Sequence, residues 1–391
     1  MKAISYLEKL LGDIDIAWKT LGDIQFFEIA NSGRKPVKAS LRAPGSIPYY
    51  GANNIQDYVE GHTHDGEFVL IAEDGSASLE NYSVQHVTGK FWANNHVHVV
   101  RGKSGVNTRF LYHFLCTVNF IPFLSGGGRA KLTKGKLVDI TIPIPCPENP
   151  EKSLQIQAKI VRILDAFTSL TAELTAELTA RKKQYNYYRD KLLSFEDSEV
   201  EWKPLGEISR FINGRAYKRT ELLESGPYPV LRVGNFFTNA NWYYSDLELD
   251  DDKYCDNGDL LYAWSASFGP RIWDGGKVIY HYHIWKVEPN LDVISKKYLF
   301  YLLEWDTEAL KSASGTGSTM MHVGKGAIEK RLVPVPSIPQ QERIVTILDK
   351  FDALTNSITE GLPREIELRQ KQYEYYRDLL LSFPKPDEQA A

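Results

Sequence analysis

A block of thirteen residues occurs twice in this chain of 391 residues, and this repetition limits the folds that the sequence can adopt. The first copy, at 183–195, is KQYNYYRDKLLSF, and the second, at 371–383, is KQYEYYRDLLLSF, with two positions changed. Identity this dense indicates an internal duplication rather than chance. Each half of the chain is therefore expected to contain one copy of the same structural unit.

The duplication extends beyond this block, but the spacing is not constant. Trp18 and Trp202 lie 184 positions apart, as do Asp165 and Asp349, whereas the two blocks lie 188 positions apart. Four extra residues must therefore lie late in the second half, and we place them near Pro363. An insertion of four keeps a helical seam in phase while it locally unwinds the helix, so we expect a helix kinked at Pro363.

Two long helices are predicted because apolar residues recur every three or four positions over residues 154–195 and again over 337–383. At 1.5 Å per residue the first would be roughly 60 Å long, which is typical of an arm or a spacer. The apolar seam is expected to pack the two helices against each other through Ile163, Phe167, Leu170, Tyr185, Tyr188, Leu192, Ile347, Phe351, Leu354, Tyr373, Tyr376 and Leu380.

Each long helix follows a mixed region of short strands and turns. In the first region we predict strands at 67–72 and 95–100 and a helix at 110–120, and in the second we predict their counterparts at 259–263 and 280–285. Both regions end in alternating prolines, at 142–147 and 333–336, which we expect to prevent sheet pairing and to mark a boundary.

The predicted fold is therefore of the α+β class, with two mixed α/β modules separated by two long antiparallel coiled-coil helices and related by an internal pseudo-two-fold repeat. The expected segments are a helix stub at 1–16, the first module at 17–150, a central helical region at 151–200, the second module at 201–336, and a C-terminal helical region and tail at 337–391.

Composition excludes several classes of protein. No apolar run reaches the roughly 18 residues of a membrane helix, and the first residues are broken by charge, so a cytoplasmic location is expected. The three cysteines form no CxxC pair, which disfavours a disulfide framework or a cysteine zinc site. A net charge of -4 disfavours nucleic-acid binding driven by overall charge, unless positive residues are concentrated on one face.

Motifs for catalysis are also missing. No GxxxxGK[ST] nucleotide loop occurs, and Asn149-Pro150-Glu151 lacks the second proline and the aromatic residue of an adenine methyltransferase tetrad. We interpret Asp251-Asp252-Lys253 as solvated surface rather than half of a nuclease motif. His96 with His98, and His281 with His283, have the spacing of zinc ligands on one strand face, but no third ligand recurs with both pairs, so we expect no metal.

The chain resembles a known family, the specificity subunits of type I restriction-modification enzymes (HsdS). The resemblance is carried by the Leu-Gly-Asp/Glu-Ile openings at 21–24 and 205–208, by the run at 258–267, and by the proline-ended strand at 334–336 followed by Pro339-Gln340-Gln341-Glu342. The first half has only Ser153-Leu154-Gln155-Ile156-Gln157 in place of that last run, so we expect different contacts there.

The resemblance implies a non-catalytic, DNA-recognising subunit whose two modules are target recognition domains, each for one half of a bipartite site in double-stranded DNA. It further implies that the helices set the spacing of the half-sites and dock two adenine methyltransferase subunits, which carry the S-adenosylmethionine, and that motor-nuclease subunits can join. This chain itself needs no cofactor. The alternative is a coiled-coil scaffold with two modules that bind protein or glycan.

Residues able to contact DNA are expected in the loops of each module, because Arg and Lys suit guanine while Asn and Gln suit adenine. Most such residues contact phosphate rather than bases, and those near the glycine loops (Arg129, Lys131, Ser318 and Thr319) are favoured, since glycine allows close approach. The other candidates are Arg34, Lys35, Lys38, Arg42, Asn53, Asn54, Asn94 and Asn95 in the first module, and Arg215, Lys218, Arg219, Arg232, Asn235, Ser265, Ser267, Arg271, His322 and Lys325 in the second.

Four residues of the repeated blocks, Tyr187, Arg189, Tyr375 and Arg377, fall off the apolar seam. Aromatic and arginine side chains in such positions are favoured at protein interfaces. We therefore predict that these four face a methyltransferase subunit.

Overall fold

The computed structural model describes residues 14–126, 130–196, 198–237, 239–265, 269–313, 323–357 and 359–384. The chain divides into two compact units. Unit 1 comprises residues 1–175 and 365–391, and unit 2 comprises residues 176–364. Each unit therefore combines one module with part of both helical regions.

The module of unit 1 is built mainly from short strands. Its strands are β1 (Ile16–Thr20), β2 (Phe27–Ile29), β3 (Pro44–Tyr50), β4 (Ile55–Val59), β5 (His64–Asp65), β6 (Phe68–Ala72), β7 (Val84–Val87), β8 (Lys90–Ala93), β9 (Val97–Gly102) and β10 (Thr141–Pro145). Its helices are α1 (Thr108–Leu115) and α2 (Lys134–Leu137), with 3-10 turns at Asn31–Gly33, Ala39–Leu41 and Ile121–Phe123.

The long helix α3 (Pro150–Leu193) follows with 44 residues, which confirms the first predicted long helix. The strands of the second module are β11 (Glu201–Pro204), β12 (Ser209–Asn213), β13 (Tyr228–Leu231), β14 (Tyr243–Ser245), β15 (Tyr254–Cys255), β16 (Leu260–Ala263), β17 (Gly269–Ile272), β18 (Val278–Tyr280), β19 (Ile284–Pro289) and β20 (Leu332–Val335). Its helices are α4 (Leu205–Ile208), α5 (Val233–Phe237), α6 (Lys296–Ala313) and α7 (Lys325–Glu329), and the C-terminal region contains α8 (Ile338–Thr355) and α9 (Gly361–Leu381).

The two modules share one strand topology, which confirms the predicted duplication. In the first module the sheet orders are β2-β9-β6-β7, β4-β3-β8-β5 and β1-β10. In the second they are β12-β19-β16-β17, β14-β13-β18-β15 and β11-β20, so each strand has a counterpart in the same position. Even the parallel pair recurs, as β3 with β8 and as β13 with β18.

The prolines at the end of each module do not prevent pairing, so that expectation was wrong. Pro143 lies opposite Trp18 in the β1–β10 pair, and Pro334 lies opposite Trp202 in the β11–β20 pair. Backbone hydrogen bonds from Cys146 to Asp15 and from Leu21 to Ile140 fix the pattern of the first pair. In that pattern the prolines fall at positions that exchange no hydrogen bonds, so their missing N–H groups cost nothing.

The repeated block completes the core of the module in each unit. In unit 1, Leu380, Leu381 and Phe383 of the second copy are at most 5% exposed and pack with the module's apolar residues. The Phe383 ring lies edge-on to Phe110, and the indole Nε1 of Trp18 donates to the Pro384 carbonyl at 2.9 Å. In unit 2, Tyr185, Leu193 and Phe195 of the first copy belong to the corresponding core.

The helices of each unit pair through aromatic stacking. In unit 1, Phe167 stacks on Tyr376 with ring centroids 5.3 Å apart, and in unit 2, Phe351 stacks on Tyr188 at 5.7 Å. Other predicted seam residues belong to the core of unit 1 (Ile163, Tyr373, Leu380) or of unit 2 (Tyr185, Leu192, Phe351), which also contains residues of the module. Leu170, Ile347 and Leu354 are half-buried.

The second long helix is broken rather than kinked at Pro363. Helix α8 ends at Thr355, α9 begins at Gly361, and Pro363 lies in the first turn of α9, where no N–H is required. Gly361 has φ of 72°, and a Cβ there would lie 2.3 Å from the Ala353 carbonyl oxygen. Only glycine suits a left-handed residue packed this closely against the end of a helix.

Some local predictions need correction. The strand predicted at 95–100 is β9, which begins at Val97, so Asn95 and His96 lie in the preceding turn. The helix predicted at 110–120 spans Thr108–Leu115, because Asn107 caps its start by accepting from the Phe110 N–H. Most of the predicted stub at 1–16 lies outside the described residues, and Ile16 already belongs to β1.

A buried glutamine joins the start of each long helix to its module, so the expected difference between the halves does not extend to this contact. The Gln157 side chain donates to the Gly105 carbonyl and accepts from the Asn107 N–H, both at 2.8 Å. Gln341, 184 positions later, donates to the Val293 carbonyl at 2.9 Å and accepts from the Ser295 N–H at 2.8 Å. Both glutamines are 0% exposed, and Asn107 caps α1 as Ser295 caps α6.

We predict that Gln157→Ala destabilises the protein by about 1–3 kcal/mol, because the Asn107 N–H and the Gly105 carbonyl would remain buried without a partner. Chemical denaturation of the full chain would measure the change in free energy of unfolding. Gln155→Ala, on the exposed face of the same helix, is the matched control. Equal effects of the two substitutions would contradict the assignment.

An aspartate fixes the module helix to the long helix in each unit, through different partners. In unit 1, Arg109 Nε and His113 Nε2 both donate to Asp165 Oδ1 at 2.8 Å. In unit 2, Lys297 Nζ and the Tyr301 hydroxyl approach Asp349 Oδ1 at 3.0 and 2.5 Å. Burial lowers the pKa of His113 to about 4, despite the opposing effect of Asp165. His113 Nδ1 is buried without a hydrogen-bond partner, as expected for a neutral ring.

We predict that the unit 1 contact weakens in mild acid. The folded-state pKa of His113, about 4, lies below the unfolded value near 6.5, so the unfolded chain binds more protons between these values. The stabilisation is present above pH 6.5 and is lost as the pH falls towards 4, at a cost on the order of 2 kcal/mol between pH 7 and pH 5. Thermal unfolding at several pH values would measure it.

His113→Gln should reduce that pH dependence, because glutamine does not titrate in this range, and the remainder should come from other histidines whose pKa is lowered by burial, such as His281. His62→Gln, at an exposed position, should leave the dependence unchanged. If the wild type and His113→Gln lost stability in parallel, another group would be responsible.

Candidate functional site

Loops that follow several strands of the first module meet at one side of its sheets. We call residues 31–35, 51–54, 73–77, 94–96 and 130–131 the loop edge of module 1. Asn53 joins two of these loops by donating to the Gly75 carbonyl and accepting from the Ala77 N–H, at 2.9 and 2.8 Å. The Lys35 N–H donates to the Ala93 carbonyl at 3.0 Å. The structure therefore brings loops from distant parts of the sequence into one surface.

Glu73 is the centre of this edge. Its carboxylate pairs with Arg34 at 2.5 Å and with Lys131 at 2.9 Å. Burial alone would raise the pKa of Glu73, but the hydrogen bonds from Arg34 and Lys131 outweigh it and hold the pKa below its usual value. The carboxylate thus stays charged and fixes two of the predicted DNA-contacting cations in place.

Histidines support the same edge. His98 is fully buried, with Nε2 2.7 Å from the Leu132 carbonyl and Nδ1 2.9 Å from Asn31 Nδ2. Burial lowers the pKa of His98, so the ring is neutral, donates to the carbonyl and accepts from the amide. His96 instead pairs with Asp74 at 2.5 Å. The two rings therefore have different partners and do not form one ligand pair.

The predicted candidates of module 1 separate into two groups. Five residues have structural partners or are buried: Arg34 and Lys131 on Glu73, Arg42 on Asp57, Asn53 on the loop at 75–77, and Asn94, which is 3% exposed and accepts from the His96 N–H. The amides of Asn54 and Asn95 and the amines of Lys35 and Lys38 are exposed. Arg129 lies outside the described residues.

The corresponding edge of module 2 has different chemistry. Ala72 pairs with Val97 in module 1 as Ala263 pairs with Ile284 in module 2, and this register aligns the two sheets. In this alignment Trp264 corresponds to Glu73, and Tyr282 corresponds to Asn95. This alignment corrects the predicted match between the histidine pairs, because His283 corresponds to His96. His281 directly precedes a turn and His283 lies in it, so the two residues are not on one strand face.

Aromatic rings form the centre of the module 2 edge. Trp264 packs edge-on against Tyr282 and His283, with ring centroids 6.0 and 4.9 Å away, and its Nε1 donates to the Tyr282 carbonyl at 2.8 Å. Burial, with His283 and Arg232 nearby, lowers the pKa of His281 to about 4. The Tyr282 N–H donates to the Arg215 carbonyl at 3.0 Å, which joins the loop at 215 to this cluster.

Several module 2 candidates also have structural partners. Arg215 forms a two-pronged pair with Glu221 at 2.8 and 3.1 Å, and Arg271 donates to the Phe236 carbonyl and to Asp274. Arg232 lies 4.3 Å from the Tyr243 ring centroid, and Lys325 approaches Glu329 at 3.7 Å. Asn235 and Ser265 are at most 9% exposed, whereas Lys218 and Arg219 are exposed. Ser267, Ser318, Thr319 and His322 lie outside the described residues.

Sequence reasoning missed the groups that organise these edges. Glu73 and Trp264 each follow a fully buried strand directly, and this position could have identified both. The buried Gln157 and Gln341 could have been found by the spacing of 184. Within the described part of the chain, no group of three or more His, Cys, Asp or Glu is placed to hold a metal ion.

Two tyrosines of the repeated blocks are prominently exposed. Tyr187 is 61% exposed and Tyr375 is 65% exposed, as their predicted interface role requires. Arg377 pairs with Asp378 at the surface. Arg189, however, is 8% exposed and lies over the Tyr185 ring, which leaves little of its surface for the methyltransferase contact predicted for it.

A duplicated frame with two different loop edges defines a protein with two recognition modules. The profile of the family described as type I restriction modification DNA specificity domain matches residues 15–181 and 197–368. The chain belongs to this family, and its role is therefore DNA recognition rather than catalysis.

Relatives match over almost the whole chain. A putative type I restriction enzyme specificity subunit of Haemophilus influenzae is 46% identical over 97% of this chain and 98% of its own length. A type I restriction enzyme specificity subunit of Escherichia coli is 37% identical over 99% of both chains. A crystal structure of the S subunit of a type I restriction-modification system from M. genitalium, 15% identical, covers 96% of this chain and 98% of its own with a TM-score of 0.60, which supports the fold.

The helices offer no sign of a membrane span. In the ranges that the structure describes, none is both long and apolar enough to cross a bilayer.

Proposed function

We propose that this chain recognises a bipartite DNA sequence, with each loop edge contacting one half-site. The observation that carries the proposal is the combination of one strand topology with two edges of different chemistry. Glu73 and Asn95 of module 1 are replaced by Trp264 and Tyr282 in module 2. A constant frame with varied loops is what two different half-sites require.

Within module 1, exposed amides are the best groups for contacting bases. Asn54 and Asn95 are exposed at the loop edge, and an amide can bond to adenine N6 and N7 together. Lys35 and Lys38 suit contacts to phosphate, which position the protein without reading sequence. Arg34 and Lys131, fixed by Glu73, would present oriented cations to the same duplex.

We further propose that two adenine methyltransferase subunits bind the helical regions and supply the chemistry. The exposed Tyr187 and Tyr375 occupy equivalent positions in the two blocks, which suits two copies of one partner. S-adenosylmethionine would be bound by those subunits, and each would methylate an adenine turned out of the duplex. Motor-nuclease subunits would join the same assembly in the cytoplasm.

DNA binding can be tested against the scaffold alternative. The complex of this chain with its methyltransferase should bind duplex DNA with an affinity that falls steeply as salt rises, because contacts to phosphate release counterions. Fluorescence anisotropy at several salt concentrations would measure this slope. Absence of salt-dependent binding would favour modules that bind protein or glycan.

We predict that Asn54→Ala and Asn95→Ala each relax sequence preference in one half-site and leave the other unchanged. Loss of a paired amide contact should reduce discrimination at one base pair by about 1–3 kcal/mol. Competition binding with single-base variants of the site would measure the change. Gln155→Ala, which removes an exposed amide from the long helix, is the control.

If either asparagine variant relaxed both half-sites equally, or neither, the assignment of the loop edge would be wrong. Uniform weakening with unchanged preference would place the substituted residue on phosphate instead.

We predict that Tyr187→Ala combined with Tyr375→Ala prevents assembly with the methyltransferase subunits. Two large aromatic contacts would be lost, and central aromatic residues often contribute 2 kcal/mol or more each, which roughly corresponds to a thirtyfold weakening. Size-exclusion chromatography of the co-expressed subunits would measure assembly. Tyr58→Ala, at a module tyrosine that is 53% exposed, is the control, and unchanged assembly of the double variant would contradict the assignment.

A further inference from the structure

A cavity of about 450 Å³ opens on module 1 beside its loop edge. The rings of Tyr49 and Trp92 line it, with centroids 6.3 Å apart and planes inclined by 29°. Lys35, at its rim, hydrogen-bonds through its N–H to Ala93, the residue directly before the loop at 94–96. The cavity is therefore continuous with the surface that we assign to DNA.

The aromatic walls are held in place by the surrounding chain. Trp92 Nε1 donates to the Lys35 carbonyl at 2.7 Å, and the Val37 N–H donates to the Tyr49 hydroxyl oxygen at 3.0 Å. The Arg42 guanidinium lies 4.2 Å from the Tyr49 ring centroid and pairs with Asp57 at 3.3 Å. A ligand would therefore enter a preformed site and order few side chains, which lowers the cost of binding.

The charge of the lining favours an anionic ligand. Lys35 and Lys38 supply two cations against the one carboxylate of Glu60, while the charge of Arg42 is already paired with Asp57. Lys35 and Lys38 are exposed at the rim, whereas the Tyr49 ring is 2% exposed and forms the floor. Cations at the rim and aromatic rings within match a flat ring that carries a phosphate.

Module 2 fills the same space with its own side chains. The parallel pairs align Tyr49 with Val230 and Trp92 with Ile279, and both aliphatic residues are 0% exposed. The Lys35 N–H donates to the Ala93 carbonyl, and the Arg215 N–H donates to the Tyr280 carbonyl, so Lys35 and Arg215 are equivalent positions. Two residues further along each chain segment, Tyr217 therefore corresponds to Val37. Tyr217 and Leu222 pack over Val230 and Ile279. An open cavity is thus not required by the shared fold.

We infer that this cavity binds one nucleotide of the first half-site, with its base displaced from the helical stack. The base packs against Trp92 above the Tyr49 floor, and the phosphate lies beside Lys35 and Lys38. Stacking of a base on an aromatic side chain contributes roughly 1–3 kcal/mol, which offsets the cost of unstacking. This inference rests on the proposed function and gives module 1 a specificity determinant that module 2 lacks.

The test is a mismatch scan of the first half-site, using the complex with the methyltransferase subunits. A mismatch weakens base pairing, so it lowers the cost of displacing a base and should tighten binding only where a base leaves the stack. We expect about tenfold tighter binding with a mismatch at one position besides the methylated adenine. Fluorescence anisotropy would measure each affinity.

Val37→Tyr introduces the residue that module 2 has at this place and should fill the cavity. It should therefore remove the increase in affinity caused by a mismatch at the second position, and keep the increase at the methylated adenine. Ile121→Tyr, at a residue that is 50% exposed and outside the lining, should keep both gains. Trp92→Leu provides a second variant should Val37→Tyr not fold, and it should also remove the first gain.

Two results would overturn the inference while the proposed function stands. In the first, sequence preference is intact, but a mismatch increases DNA affinity at no position besides the methylated adenine. The same conclusion would follow if Val37→Tyr and Trp92→Leu both kept the increase in affinity at the second position. In the second, a free deoxynucleoside monophosphate, used as the probe, binds the cavity but does not compete with DNA for it. If the wild-type complex showed no sequence preference at all, the proposed function would be overturned as well.

Discussion

Apolar packing between each copy of the repeated block and the core of a module is the interaction on which the rest of the structure depends. Leu380, Leu381 and Phe383, near the end of the chain, pack into the module that contains Trp18. Burial of each such side chain contributes roughly 1.5–3 kcal/mol. The first module is thus completed by residues that follow the second module, so unit 1 requires both halves of the sequence.

The same frame carries edges whose chemistry has diverged. The buried Gln157 and Gln341 make equivalent contacts, and the acidic side chains of Asp165 and Asp349 each hold a module helix. At the loop edge, by contrast, a carboxylate in one module corresponds to an indole in the other. Substitutions at the edge leave the core packing intact, whereas substitutions at the glutamines or aspartates would disturb buried hydrogen bonds. This separation allows recognition to change without loss of the fold.

Much of the fold could be predicted because its signals are strong and local. The 44-residue helix α3 has an apolar seam over many turns, and spacing within the duplication located the four extra residues. The break at Gly361 could not be predicted, because it depends on a close backbone contact with Ala353. The candidate site was predicted less well, since the partners of Arg34 and Arg215 come from segments brought near by folding or by a local turn. Asn54 and Asn95 differ from Asn94 only in being exposed, and solvent exposure cannot be read directly from a single sequence.

The most direct test of the central claim is to map methylated adenines in the DNA of cells that co-express this chain with its methyltransferase. Two independent modules on one frame predict a bipartite motif, with one methylated adenine in each half and a gap of fixed length. A single continuous motif, or no modification despite an assembled complex, would contradict the account that two separate loop edges recognise two half-sites.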